Sequence, residues 1–220
     1  MRLKIIYLLG TDGAGKTTVA RQLAASPIAG QRIAYLYCGG TPKLLYPLKL
    51  AAQRFFLRKA SPYGNYSTYV ANKQGARRRR PCLAAIYCGV WYIDFLIQAW
   101  VSLCRPWLRR ATVIVDRYYL DNVVDQSVFR ETDLSGMLRD ARRLERLLPM
   151  ARLHVFLDVA EDTAFARKND IPSVDYLRPR RARYLALAPH YQFISVDANQ
   201  PVEAVCEQTR KVIAARLPSL

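Results

Sequence analysis

Histidine is nearly absent from this chain: His154 and His190 are the whole set. Cysteine is sparse and odd in number. Cys38, Cys82, Cys88, Cys104 and Cys206 include no C-x-x-C pair. With so few ligands no zinc pattern can be written. The cysteine usage predicts a reducing, cytoplasmic compartment. A secretory signal is also missing, because the apolar run Ile5 to Leu9 is short and glycine and charge follow at once. Acidic residues are half as numerous as basic ones, 17 against 34, which leaves a formal net charge of +17. Most of the excess is arginine, whose planar fork suits phosphate oxygens. Such a charge also attracts nucleic acid or an anionic membrane surface. A soluble enzyme from an arginine-favouring lineage has the same composition. No repeat or low-complexity segment stands out beyond the run Arg77 to Arg80.

Apolar residues make up 51% of 220 positions, enough for one packed domain spanning 1–220. Lys4 to Leu9 is a short apolar run ending at glycine, the pattern of a buried parallel strand. Thr17 to Ala25 has helical spacing. Arg32 to Leu36 reads as a second strand and Lys43 to Lys59 as an amphipathic helix. Ser61 to Arg80, with Pro62, Gly64 and Gly75, reads as a mobile loop. Cys82 to Cys104 is the most apolar stretch, long enough to span a bilayer. Arginines flank it on both sides, so charge asymmetry gives no orientation. The segments around it belong to one α/β pattern, which predicts a helix buried in the core. Thr112 to Val115, Leu153 to Leu157 and Phe193 to Val196 read as further strands, each followed by aspartate. Leu134 to Leu148 and Pro201 to Leu217 read as helices. Alternating strands and helices predict a parallel sheet covered on both faces.

The segment Gly10, Thr11, Asp12, Gly13, Ala14, Gly15, Lys16, Thr17 fits G-x-x-x-x-G-K-[ST], between a predicted strand and a predicted helix. Glycines let the backbone wrap a phosphate, and the amides at the helix start face the anion. Lys16 reaches the terminal phosphates, and the Thr17 hydroxyl is placed to ligate Mg2+. Asp116 and Arg117 follow the third strand, at the edge where open α/β sheets hold ligands. Asp116 is a candidate for holding magnesium, and Arg117 for clamping an acceptor phosphate or the phosphoryl group in flight. A structural ion pair is the plain alternative. Arg167 and Lys168, then Arg178, Arg180, Arg181 and Arg183, have the composition of a basic lid over a triphosphate. A solvated helix face reads the same way for the last four.

Taken together, these blocks resemble the thymidylate kinase family. The resemblance rests on Gly10 to Thr18 with its internal Asp-Gly, and on Gly39-Gly40-Thr41-Pro42. It continues with Asp116-Arg117-Tyr118 and the later Gln126, and with Leu157-Asp158-Val159 followed by Asp162 and Arg167. Arg181 to Leu185 and Val196 to Pro201 complete it. The blocks run in order along nearly the whole chain. The resemblance implies a P-loop NTPase fold with a five-stranded parallel sheet and a short lid at about 167–181. It implies ATP and Mg2+ as the donor system and a nucleoside monophosphate such as dTMP as acceptor. Asp12, Lys16, Thr17, Asp116, Arg117 and Arg167 carry over to the active centre, Thr18 to the nucleotide loop and Asn199 to the neighbourhood of the adenine. A homodimer is implied as well. The departures fall on the acceptor side. Leu36 and Tyr37 replace an Arg-Glu pair, Trp91 to Trp100 lacks an arginine, and Asp121, Val124 and Asp125 replace small and aromatic residues.

The expectation is therefore an ATP-dependent kinase acting on a small phosphorylated acceptor. A second reading keeps the fold and changes the acceptor to a sugar, glycolipid or other metabolite. The apolar helix and basic surface would then bring peripheral membrane contact. A third is a nucleotide switch or nucleic-acid-binding ATPase. No recognised nucleic-acid module supports it.

Overall fold

The computed structural model describes residues 3–39, 75, 78–109 and 111–219. Gly40, Thr41 and Pro42, the helix expected from Lys43 to Lys59, and most of the loop expected from Ser61 to Arg80 lie outside these residues.

Five strands form one sheet: β1 Lys4–Leu9, β2 Ile33–Tyr37, β3 Thr112–Asp116, β4 Leu153–Asp158 and β5 Ile194–Asp197. Their order is β2-β3-β1-β4-β5, and every pair is parallel. The central strand KIIYLL shows no polar alternation because both of its faces are covered. Ile5, Tyr7 and Leu9 enter one apolar cluster, and Ile6 and Leu8 enter another on the opposite face. The register aligns the strand ends, with Leu8 and Tyr37 both opposite Asp116 and Asp158 opposite Asp197. One edge of the sheet thus gathers every strand's last residue.

Helices cover both faces. The described ones are α1 Lys16–Ala25, α2 Pro81–Leu108, α3 Tyr119–Arg130, α4 Leu134–Glu145, α5 Glu161–Ala166, α6 Val174–Tyr191 and α7 Val202–Arg216. α1 and α7 lay Val19, Leu23, Val205 and Ile213 on the Ile6/Leu8 face. α2, α3 and α4 cover the other face with Phe95, Leu103, Val123 and Ala141. The chains leaving β1 and β3, adjacent strands, therefore turn to opposite faces. That divergence opens a crevice at the strand ends. Local signals set the helix starts. Asp133 accepts a hydrogen bond from Gly136 N at 2.9 Å, Ser173 accepts one from Tyr176 N at 3.3 Å, and proline opens α2.

One expectation needs correction. The run Cys82 to Cys104 is helical, but it is not a buried core helix. Ala84, Cys88, Phe95, Ala99 and Leu103 face inward, while Ile93 is 54% and Val101 71% exposed. A helix of 28 residues presents a full cylinder, and a sheet covers only one side of it. The arginines Arg178 to Arg183, for which the sequence leaves a lid and a helix face both open, sit on the helix α6. The non-helical stretch between α5 and α6 is 167–173.

Behind β1 and β4 lies an aromatic cluster. His154 stacks on Phe193 with ring centres 5.9 Å apart and meets Tyr191 at 5.6 Å. Burial pulls its imidazole pKa down to about 4. Unfolded histidine titrates near ~6.5, so the unfolded chain binds this proton first. The stability His154 allows is complete above that value and declines as the pH falls towards 4. We expect His154→Phe to flatten that interval of the stability profile, by up to about 1.4 kcal/mol per pH unit. Urea melts of both proteins from neutral to mildly acid pH check this. Parallel profiles would show that the ring is not kept neutral.

Candidate functional site

The loop between β1 and α1 is shaped by its glycines. Gly13 and Gly15 have φ of 84° and 82°, a left-handed backbone that side chains disfavour. A Cβ on Gly13 would fall on the backbone carbonyl of Ala164 in α5, so the loop lies tight against that helix. No side chain caps the start of α1, which leaves its first N–H groups facing outward from the sheet edge. Lys16, 5% exposed, bends back over the loop. Its Nζ donates to the carbonyls of Gly10 at 2.6 Å and Thr11 at 2.9 Å. Burial and the neighbouring Arg117 lower its pKa.

Two contacts join this loop to the end of β3. Thr17 Oγ1 donates to Asp116 Oδ2 at 2.5 Å. Asp116 is buried, and its Oδ1 has no hydrogen-bond partner among the described residues. The adjacent Arg117 has a positive φ of 64° and an ion pair with Asp12. That conformation is uncommon outside glycine, asparagine and aspartate, and it persists where the surroundings fix it. Burial works against both charges, but each is overruled by its surroundings. Arg117 and Lys16 hold the Asp12 carboxyl well below the usual range, while Asp12, Asp121 and Asp125 hold the Arg117 guanidinium charged. Tyr176 of α6 donates its hydroxyl to Asp12 Oδ2 at 3.1 Å.

Behind Arg117 lies a second constellation. Asp121, buried on the first turn of α3, accepts hydrogen bonds from the hydroxyls of Tyr7 and Tyr184 and from Tyr118 N. Burial and this carboxylate push both phenols well above their usual pKa. Sequence reasoning marked Asp121 only as a departure and missed both tyrosines, Tyr176 and the helix α3 itself. The signals were present. A tyrosine sits inside the otherwise aliphatic β1, and an acid stands among Leu120, Val123 and Val124 at helical spacing.

The remaining expected residues divide. Arg167 donates to Ala198 O at 2.6 Å, Gln200 O at 3.1 Å and Asn199 O at 3.2 Å, so its guanidinium grips the loop after β5. Asn199 accepts from Ala160 N at 2.9 Å and donates to Asp197 at 2.7 Å, which ties the exits of β4 and β5 together. Arg181 forks onto Asp158 at 2.7 and 3.1 Å. Arg180 pairs with Asp125 at 2.9 Å over the face of Tyr176.

A cleft of about 480 Å3 opens along this edge. Thr11 to Val19 form its floor, and Lys16, Arg117, Arg167 and Lys168 supply four cationic side chains. Ala198, Val202 and Val205 give it an apolar end. Asn199 braces that end, while its neighbours Ala198 and Gln200 line it. The arrangement can hold an elongated anion with an apolar head. No protein-family model matches the chain, and no curated protein matches it either.

Because a Cβ on Gly13 would strike backbone, Gly13→Ala is expected to cost about 1–3 kcal/mol of stability or to displace the loop. Thermal melting reads the effect. An unchanged melting temperature would show that the loop is not held tight against α5.

Proposed function

We propose that the chain is an ATP- and Mg2+-dependent phosphotransferase of the thymidylate kinase type, with a P-loop at Gly10 to Thr18 and a nucleoside monophosphate such as dTMP as acceptor. The observation that carries this reading is the meeting of Lys16, Thr17 and Asp116 at the mouth of a glycine-shaped loop. The support is physical. A loop of left-handed glycines followed by an uncapped helix start is an anion cradle. The cationic lining of the cleft suits a triphosphate, and its apolar end suits a base.

The residues also fit the metal. Among the described residues no three His, Cys, Asp or Glu side chains converge, but Mg2+ needs only one or two protein oxygens beside phosphate oxygens and water. Asp116 Oδ1, buried and unpartnered, and Thr17 Oγ1 would hold it. Once bound, the ion would neutralise charge on the phosphates.

The chain's own groups do the rest. The loop amides and the α1 N-terminus orient the donor phosphates. Lys16 exchanges the Gly10 and Thr11 carbonyls for phosphate oxygens. Arg117, held by Asp12, faces the crevice from the end of β3 and meets the transferring group or the acceptor. Arg167 keeps the 198–200 loop in place at the base end, and Lys168 adds charge beside it. The phosphoryl group passes from ATP to an acceptor oxygen, with the bond to ADP breaking as the new one forms.

One observation favours a different acceptor on the same machinery. Arg117 is already paired with Asp12 and lies in the field of Asp121 and Asp125. These carboxylates repel an acceptor phosphate, while a neutral hydroxyl on a sugar or glycolipid meets no such penalty. A coupled ADP-release assay across dTMP, other nucleoside monophosphates, sugars and glycolipids decides between the two.

Lys16→Ala is expected to lower turnover by about 100-fold or more in a chain that still folds and melts cooperatively. A normal rate in that variant would falsify the proposed mechanism. Arg117→Ala should reduce kcat by about 100- to 1000-fold while ATP affinity changes little. Selective loss of ATP binding would instead place Arg117 on the donor.

A further inference from the structure

Helix α2 has two apolar faces, and the described residues cover only one. Phe95, Ala99 and Leu103 pack into the core against Val113 and Val115. The opposite face carries Ile86, Ile93, Ile97, Trp100, Val101 and Trp107, each between 42% and 71% exposed. These positions recur at three-, four- and seven-residue intervals and so form one stripe along the helix. Trp100 donates its indole N–H to Leu147 O at 3.0 Å, which joins the exposed Leu147 to the stripe.

The surroundings of the stripe are cationic. Arg78, Arg79 and Arg80 are exposed at its start, Arg105 and Arg109 at its end, and Arg143 and Arg146 beside Leu147. Arg78 pairs with Glu131 at 3.8 Å and Arg143 with Asp140 at 3.6 Å, so the excess charge comes from the other five. Between 78 and 109 the one acidic residue is Asp94, which is fully buried. We propose that this face docks on an anionic lipid bilayer, with α2 lying in the plane of the interface. Apolar side chains enter the boundary between headgroups and acyl chains, and the flanking guanidinium groups meet lipid phosphates.

Two alternatives fit the same residues less well. The helix has the length and hydropathy to cross a membrane, but crossing would tear Phe95 and Leu103 from the core. A second copy on this face would set arginine cluster against arginine cluster, whether the two helices ran parallel or antiparallel, and like charges in contact are costly. A bilayer rich in anionic headgroups satisfies the stripe and the arginines together. The inference stands independently of the phosphotransferase reading.

Vesicle co-sedimentation of the full chain tests it, with phosphatidylcholine alone and with phosphatidylcholine mixed with phosphatidylglycerol. Binding is expected to the mixed vesicles, weakening as salt rises, with a blue shift of tryptophan emission as Trp100 and Trp107 enter the interface. Ile97→Glu with Val101→Glu should abolish binding. Arg79→Glu with Arg105→Glu should weaken it by roughly fivefold or more for each arginine lost. The second pair leaves the apolar stripe intact, so it checks the charge contribution separately. Sedimentation velocity without vesicles completes the test, and equal values for wild type and the Ile97→Glu/Val101→Glu variant are expected. A wild-type dimer that this variant dissociates would assign the face to a second copy and overturn the proposal. Failure to bind mixed vesicles would overturn it as well.

Discussion

The parallel pairing of β1 with β3 is the constraint on which the site depends. It places Leu8 opposite Asp116, so the chain leaving β1 and the chain leaving β3 start from the same height. Had β3 slipped by one residue, Asp116 would point to the other face of the sheet. The fold guards against this slip from both sides. Val113 and Val115 are fully buried in one cluster and Ile114 in the other, so each face fixes the register. On the other side of β3, Cys38 N extends the β2–β3 pairing by one step, donating to Asp116 O at 3.1 Å. With the edge fixed, Thr17 on the first turn of α1 reaches Asp116, and Asp12 in the loop reaches Arg117. Two short side-chain contacts then join segments about a hundred residues apart in sequence.

Arg117 is held in an unfavourable backbone conformation, and the residues behind it account for that. Tyr7 from β1, Tyr184 from α6 and the amide of Tyr118 all converge on Asp121. The Asp121 amide returns a hydrogen bond to the Tyr7 hydroxyl at 2.8 Å. A buried carboxylate without such partners would cost several kcal/mol, and here its lone pairs are met. The network fastens the start of α3 to the centre of the sheet. The residue just before that start, Arg117, is thereby over-determined, which is how a local strain of roughly 1–3 kcal/mol persists. The polar residues of the site are precise because apolar and aromatic packing behind them leaves no slack.

Much of this was legible in the sequence. Runs such as KIIYLL and TVIVD announce buried parallel strands, and glycines around Lys16 announce a loop that must turn tightly. Those signals are local, and local signals survive without a structure. The partners were not legible. Nothing in the spacing says that Tyr176 reaches Asp12 across 164 positions, or that Arg167 turns to the carbonyls of 198–200. Helix α3 was missed because Tyr119, Val123 and Val124 are good strand formers, and tertiary packing overrode their preference. The apolar run at α2 misled for a related reason. Composition measures how apolar a helix is, but only the fold decides how much of it the core can cover.

That last point links α2 to the site. Its inner face touches the sheet edge through Gln98, which lies so close to Gly39 that a Cβ there would be 2.8 Å from its Oε1. Gln98 is in turn bonded to the buried Asp94 one helical turn earlier. Polar groups therefore appear on α2 where it meets the end of β2, and apolar groups where it faces outward. One helix thus meets the end of β2 with polar groups on one side and presents the exposed apolar stripe on the other, so the sheet fixes how the stripe is held.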